Sequence, residues 1–305
     1  MISMNGKSIK EFINRKARAF VPGTFENVVL NRDKILATYE SKPRVKDLII
    51  SMTTYAPRIH SFEYAILSML AGSVLPEKIC VYIPKGFLQL LANSDSFLRP
   101  EYDKGFISLI EMEIDYFCHS KYYYSFLEYG DTKDILTGDD DIIYYKDWVK
   151  HIVESAQKHP DYSVFAYKAV EVKIVNGKIA PYDDWTHCSK KHLGENKLLF
   201  GEGVGGVLYK KGALKKEVLN KEAFLELTPK ADDIWLWFCT HLNNCKIKYI
   251  LPYNNQKLLY VVPNSLNTTL WMENTMGKRT DIYVDNCNRY FLDKYGFNIV
   301  DVQPS

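Results

Sequence analysis

Three consecutive carboxylates, Asp139, Asp140 and Asp141, follow the short apolar run Ile135-Leu136 after only Thr137-Gly138. Packed acids repel one another. At the carboxyl end of a buried strand a hard divalent cation relieves that repulsion, taking one or two carboxylates and phosphate oxygens of a substrate as ligands. If the segment stays extended, Asp139 and Asp141 face one side and Asp140 the other. On these residues alone an acidic turn after a strand is equally open. A second acidic pair, Asp232-Asp233, opens the apolar stretch Ile234-Trp235-Leu236-Trp237-Phe238. The helix dipole favours acids there, so capping accounts for them. The other reading is a base beside tryptophans that stack on a sugar. Between the two clusters, Gly201-Glu202-Gly203-Val204-Gly205-Gly206 supplies glycines that admit close backbone approach, to a ligand or to a packed neighbour.

The elements that must position these groups alternate along the first half. Strands are expected at Leu48 to Thr53, Lys78 to Ile83, Phe106 to Ile114 and Asp134 to Leu136, and helices at Ser61 to Ala71, Ser120 to Tyr129 and Trp148 to His159. Such alternation predicts an α/β fold with a mostly parallel sheet flanked by helices, whose ligands bind at the carboxyl ends of the strands. After Ser163 come shorter strands, at Phe165 to Tyr167 and Val170 to Val175, the latter entering an Asn176-Gly177 hairpin. The polar segment from Tyr260 onward reads as a lid loop or a solvated connection, with Lys278 and Arg279 placed to meet a diphosphate, followed by a helix from Asp285 to Tyr295.

Composition excludes several classes. The 305 residues carry a net charge of +2, which offers no broad basic field to nucleic acid. The six cysteines form no C-x-x-C pair and are read as reduced thiols of a cytoplasmic protein. No apolar run approaches the roughly 20 residues that span a bilayer, and no signal peptide is expected. Ile9, Phe12, Ile13 and Phe20 recur at helical spacing among Lys10, Arg15, Lys16 and Arg18. This basic amphipathic helix is either docked on its own domain or in peripheral contact with an anionic membrane surface.

In order, the chain presents Ser-x-Thr-Thr-Tyr-x-Pro-Arg (51–58), Thr-x-Asp-Asp-Asp (137–141), Gly-Val-Gly-Gly-Val-Leu-Tyr (203–209) and Ala-Asp-Asp-Ile-Trp-Leu-Trp (231–237). This combination resembles bacterial GT-A glycosyltransferases of the lipopolysaccharide and capsule type, over roughly residues 45 to 285. The resemblance implies a Rossmann-like GT-A domain at 47–260, with a nucleotide-sugar half at 47–145 and an acceptor half at 146–260. A helical extension at 1–46 precedes it, and a lid loop and helix at 261–305 follow. It also implies Mn2+ or Mg2+ held by Asp141 with Asp139, and donor contacts from Thr53, Tyr55, Arg58, Lys121, Asp139 and Asp140. Asp233 would be the base of an inverting reaction with Asp232 beside it, and Gly205, Gly206 and Trp235 would line the acceptor. No histidine after His241 matches the third metal ligand such enzymes often bring late in the chain. The implied partners are a nucleotide sugar, UDP-sugar favoured, and a glycan or lipid-linked acceptor. A metal-dependent phosphoesterase or nucleotidyltransferase, and a non-catalytic sugar-binding module, are the alternatives. Neither uses both acidic clusters together with the glycine-rich strand.

Overall fold

The computed structural model describes residues 24–59, 61–189, 197–251, 260–263 and 279–302. Strands β1 (Leu48–Thr53), β2 (Lys78–Ile83), β3 (Ile107–Glu111) and β4 (Asp134–Thr137) form the parallel half of a seven-stranded sheet. They are connected through α3 (Phe62–Leu70), α4 (Phe87–Ala92), α5 (Arg99–Tyr102) and α6 (Ser120–Tyr129), after the short helices α1 (Phe25–Leu30) and α2 (Arg32–Thr38). Side chains alternate across a strand, so β1 is apolar on both faces. Leu48, Ile50 and Met52 pack in a cluster with Phe62, Ile66 and Leu70 of α3. Ile49 packs on the other face with Cys80, Tyr82 and Met112.

The second half completes the same sheet. After β5 (Ile142–Ile143) and α7 (Trp148–Lys158) come β6 (Val164–Ala166), β7 (Ala169–Glu171), β8 (Ile174–Val175), β9 (Lys178–Ile179), β10 (Thr186–His187), β11 (Leu199–Gly201) and β12 (Val207–Tyr209). Helices α8 (Lys221–Leu227) and α9 (Asp232–Leu242) and strands β13 (Ile247–Tyr249) and β14 (Tyr260–Val261) follow, then α10 (Arg279–Tyr295) and a short turn at Ile299–Asp301. The sheet order is β13-β6-β12-β4-β1-β2-β3, with β12 running antiparallel between β4 and β6. A smaller antiparallel sheet has the order β10-β7-β11. The expected α/β fold with a mostly parallel, helix-flanked sheet is therefore the observed one.

Local chemistry explains most boundaries. Asn176 and Gly177 both adopt positive φ, at 51° and 73°, which is the conformation a two-residue hairpin turn needs. The third strand stops at Glu111 rather than Ile114, and its last ladder bond runs from Met112 N–H to Ile83 O at 2.9 Å. The last helix begins at Arg279, earlier than Asp285, and packs on α9 through Phe291 against Trp235 and Phe238, each with 5.3 Å between centroids. The basic amino-terminal segment 8–20 and the polar segment 264–278 lie outside the described residues. Among the described residues no helix is long and apolar enough to cross a membrane.

Candidate active site

The chain runs from β1 to β2 to β3 on one side and then returns to place β4 on the other side of β1. Strand order reverses between β1 and β4, the place where open α/β sheets bind ligands at their carboxyl ends. Gly138 N–H donates to Ser51 O at 2.9 Å and holds the two strand ends level. The loop after β1 brings three of the expected donor contacts. Thr53 Oγ1 donates to Tyr82 O at 2.8 Å and so fixes the strand end. Tyr55 is 37% exposed, and Arg58, on the tight turn Ala56–Arg58, places its guanidinium carbon 5.6 Å from the tyrosine ring centroid. The pair presents an aromatic face and a cation to the crevice.

The aspartates do not alternate as an extended strand would make them. The strand ends at Thr137 and the chain turns at Asp140-Asp141 into β5, which pairs with β14. Asp139 pairs with one cation, and Asp140 and Asp141 with another. Arg58 Nη1 contacts Asp140 Oδ1 and lies 3.1 Å from Asp141 Oδ2, while Asp139 Oδ1 is 3.2 Å from Lys121 Nζ. Burial raises the Asp140 carboxyl above its ordinary value against the pull of Arg58. Burial and then the Asp139 charge push Asp141 up to about 7, again against Arg58.

Lys121 reaches this point because of its helix. At the start of α6, His119 Nε2 donates to Thr228 O at 2.7 Å, and Tyr122 OH pairs with its Nδ1 at 3.1 Å. Burial lowers this imidazole to about 4 and keeps it neutral. The bond to Thr228 ties α6 to the loop that leads into α9, whose first residue is Asp232. Lys121 Nζ then sits 3.0 Å from Asp232 Oδ2 as well as near Asp139, and bridges the two acidic clusters. Burial alone would lower this ammonium, but the two carboxylates lift it well above the ordinary lysine range. Asp233 is half-buried. Its Oδ2 accepts from Gly203 N–H at 3.4 Å, and burial, then Asp232, push it up to about 7. Its Oδ1 accepts from Ile234 N–H at 2.9 Å.

Counting Asp139, Asp140, Asp141, Asp232 and Asp233 against Arg58 and Lys121 leaves acids in excess. Asp139 Oδ2 is buried with no hydrogen-bond partner among the described residues. An orphaned carboxylate oxygen in an acid-rich crevice suits a hard divalent cation. Removing Lys121 should expose that imbalance. Lys121→Met is expected to cost about 3–5 kcal/mol at pH 8, the usual penalty for breaking a buried ion pair on one side. The loss should shrink as pH falls, because the stranded carboxylates take up protons in the folded state more readily than in the unfolded one. Urea unfolding at pH 8 and pH 5 measures it.

Other expected contacts do not come together here. Gly205 and Gly206 are buried, and both have positive φ, 91° and 98°. Their task is packing. Gly205 O accepts from Trp148 Nε1 at 2.9 Å, and a Cβ on Gly206 would stand 2.6 Å from Trp148 Cζ2 and 3.0 Å from Thr137 O. Beside the acceptor role expected of both glycines, the structure shows this packing. Gly206→Ala should lose roughly 2–4 kcal/mol through overpacking and backbone strain, read as a lowered urea midpoint. Trp235, also expected to line the acceptor, lies in the core. It is 0% exposed, its Nε1 donates to Val218 O at 3.1 Å, and it offers no face for a sugar. His241, near the far end of α9, lies about 14 Å along the helix axis from Asp232 and is buried.

Sequence reasoning missed Glu202, Lys168, Tyr182 and His187. Glu202 is buried one residue before Gly203, and it receives Lys168 Nζ at 3.2 Å and the Tyr182 hydroxyl at 3.0 Å on Oε1. The available signal was a lone acid ending the apolar run Leu198-Leu199-Phe200-Gly201, just as Asp139 ends another. A separate concavity of about 680 Å³, lined by Tyr39, Arg44, Lys78, Lys104 and Phe106, lies at the amino ends of β2 and β3 and holds none of the site residues.

No family model matches the chain, and no curated protein matches it. Among solved structures, residues 1–349 of TarS from S. aureus are 13% identical, with 82% of this chain and 73% of that one covered at a TM-score of 0.43. A longer S. aureus TarS structure is 14% identical, with 83% of this chain and 44% of that one covered at 0.46. CMP:2-keto-3-deoxy-manno-octonic acid synthetase complexed with CTP is 9% identical, with 68% and 90% covered at 0.38. Likenesses of this size leave the fold to be argued from the sheet itself and say nothing of what the chain binds.

Proposed function

We propose that this protein is a metal-dependent glycosyltransferase of the GT-A type. It would move a sugar from a nucleotide sugar, UDP-sugar favoured, to a hydroxyl of a cell-surface glycan or lipid-linked acceptor, with inversion. The observation that carries the reading is the Lys121 bridge: one buried ammonium touches both the acid turn at the strand crossover and the acid pair that opens α9. Leaving-group stabilisation and base catalysis need their charged groups this close together.

Asp139 and Asp141 would hold Mn2+ or Mg2+, with the donor's diphosphate and water completing the shell. The cation, when bound, neutralises charge that develops on the diphosphate as the glycosidic bond breaks. Arg58 keeps Asp140 and Asp141 in place, and it shares with the exposed Tyr55 ring a surface for the nucleoside. Lys121 remains charged beside Asp139 and supplies a second positive group toward the diphosphate. Asp233 takes the proton of the acceptor hydroxyl; its raised pKa makes it a better base than an ordinary aspartate. The basic amino-terminal segment would contribute a peripheral membrane contact.

Product analysis tests the reading against nucleotidyl transfer. Incubation with UDP-, GDP- and CMP-sugars and Mn2+ is expected to release UDP, GDP or CMP from one of them. Pyrophosphate release from a nucleoside triphosphate and a free sugar, without nucleotide release from any sugar nucleotide, would overturn it.

A further inference from the structure

The small sheet β10-β7-β11 gathers side chains that neither the donor side nor the base employs. In its antiparallel register His187 stands opposite Val170, and Gly201 opposite Ala169. The residues at this end, Lys168 before β7, His187 closing β10 and Glu202 after β11, therefore meet. Glu202 N–H donates to Lys168 O at 3.0 Å and fixes the corner. Tyr182 joins them from the turn Tyr182–Asp184, its backbone N–H donating to Asp281 Oδ1 of α10 at 2.7 Å.

The Glu202 carboxylate is satisfied on one oxygen only. Oε1 takes both Lys168 Nζ and the Tyr182 hydroxyl, while Oε2 is buried with no hydrogen-bond partner among the described residues. His187 Nδ1 stands 3.8 Å from Oε2, beyond hydrogen-bond range, and its side chain is 69% exposed. Glu202 itself is 6% exposed. An unpaired carboxylate oxygen at this depth costs free energy unless something donates to it. The next residue, Gly203, points its N–H at Asp233, so the unpaired oxygen lies one residue along the chain from the contact to the base.

We propose that Lys168, Tyr182, His187 and Glu202 form the subsite that reads the acceptor's hydroxyls. Glu202 Oε2 accepts a hydrogen bond from one hydroxyl of a neutral sugar or polyol, and so orients the neighbouring hydroxyl toward Asp233. The inference rests on the transferase reading and names its acceptor class. Charge sets that class: Lys168 balances Glu202, and Asp233 adds negative charge nearby, so the patch suits uncharged hydroxyls and repels phosphate. Exposed His187 forms the rim.

Saturation-transfer difference NMR tests the proposal. The probes are methyl α-D-glucopyranoside, methyl β-D-galactopyranoside, N-acetylglucosamine, glycerol and glucose 6-phosphate, added to the full chain with Mn2+. At least one neutral probe should bind. Glu202→Gln should weaken it about tenfold or more, and Tyr182→Phe and His187→Ala a few-fold. The last two carry the test if Glu202→Gln does not fold. Absence of binding by every neutral probe, preference for glucose 6-phosphate, or wild-type affinity in the folded variants would overturn the subsite. Thermal shift with UDP, GDP and CMP in the same samples keeps the two ideas apart. Nucleotide stabilisation without sugar binding sinks only the subsite, whereas absence of nucleotide stabilisation sinks the transferase reading.

Discussion

Replacing Asp141 by asparagine should abolish Mn2+-dependent nucleotide binding and leave the fold intact. The substitution keeps shape and removes one charge from a buried cluster already rich in acids. Arg58 retains Asp140 as its partner. In wild type the Asp141 carboxyl is pushed up to about 7, by burial first and Asp139 second. The folded state thus keeps a proton that the unfolded chain, with an ordinary value near ~3.9, has released. The sign follows: in metal-free protein this group's contribution to stability is lost as pH climbs from about 4 to about 7. Asp141→Asn should lack that component and should be as stable as wild type, or more so, at pH 8 without metal. Mn2+ competes with the same proton, so wild-type nucleotide binding should strengthen as pH rises toward 8. Thermal melts of both proteins with and without Mn2+ and UDP, GDP or CMP measure all of this. Unchanged nucleotide affinity in the variant, metal present, would remove Asp141 from the metal's ligands.

Turnover should fall by roughly 10²–10⁴ in Asp233→Asn, the usual worth of a general base, with donor affinity nearly unchanged. The wild-type rate should decline as pH drops below about 7, because Asp233, raised by burial and by Asp232, becomes protonated there. The variant has no such group and should lose that limb of the profile. A variant that binds donor weakly but turns over at the wild-type rate would place Asp233 in the binding shell and the base elsewhere.

The fold and the position of the candidate crevice were legible because they follow from local pattern. Buried apolar runs ending at Thr53 and Thr137 announced parallel strands, and the polar residues just beyond them announced the crevice. What was illegible depends on partners distant in sequence. Gly205 and Gly206 are shaped by Trp148, 57 residues from the carbonyl it binds, and nothing near the glycines reveals an indole. Trp235 and Trp237 read as a platform because their indole N–H groups find buried carbonyls, at Val218 and Leu199, only in the folded chain. The aspartate triplet was legible as a cluster but not as a turn, since its cation partners Lys121 and Arg58 lie far from it in sequence. Glu202 and its neighbours escaped because strands of two or three residues carry too little periodicity to show a register.

Calorimetric titration of UDP, GDP and CMP into the wild-type protein, each in Mn2+ and again in EDTA, reaches the acid-turn site without knowledge of sugar or acceptor. One nucleotide should bind in Mn2+ and lose that binding in EDTA. Failure of all three to bind, or binding indifferent to EDTA, would contradict a metal-and-diphosphate site at Asp139 and Asp141.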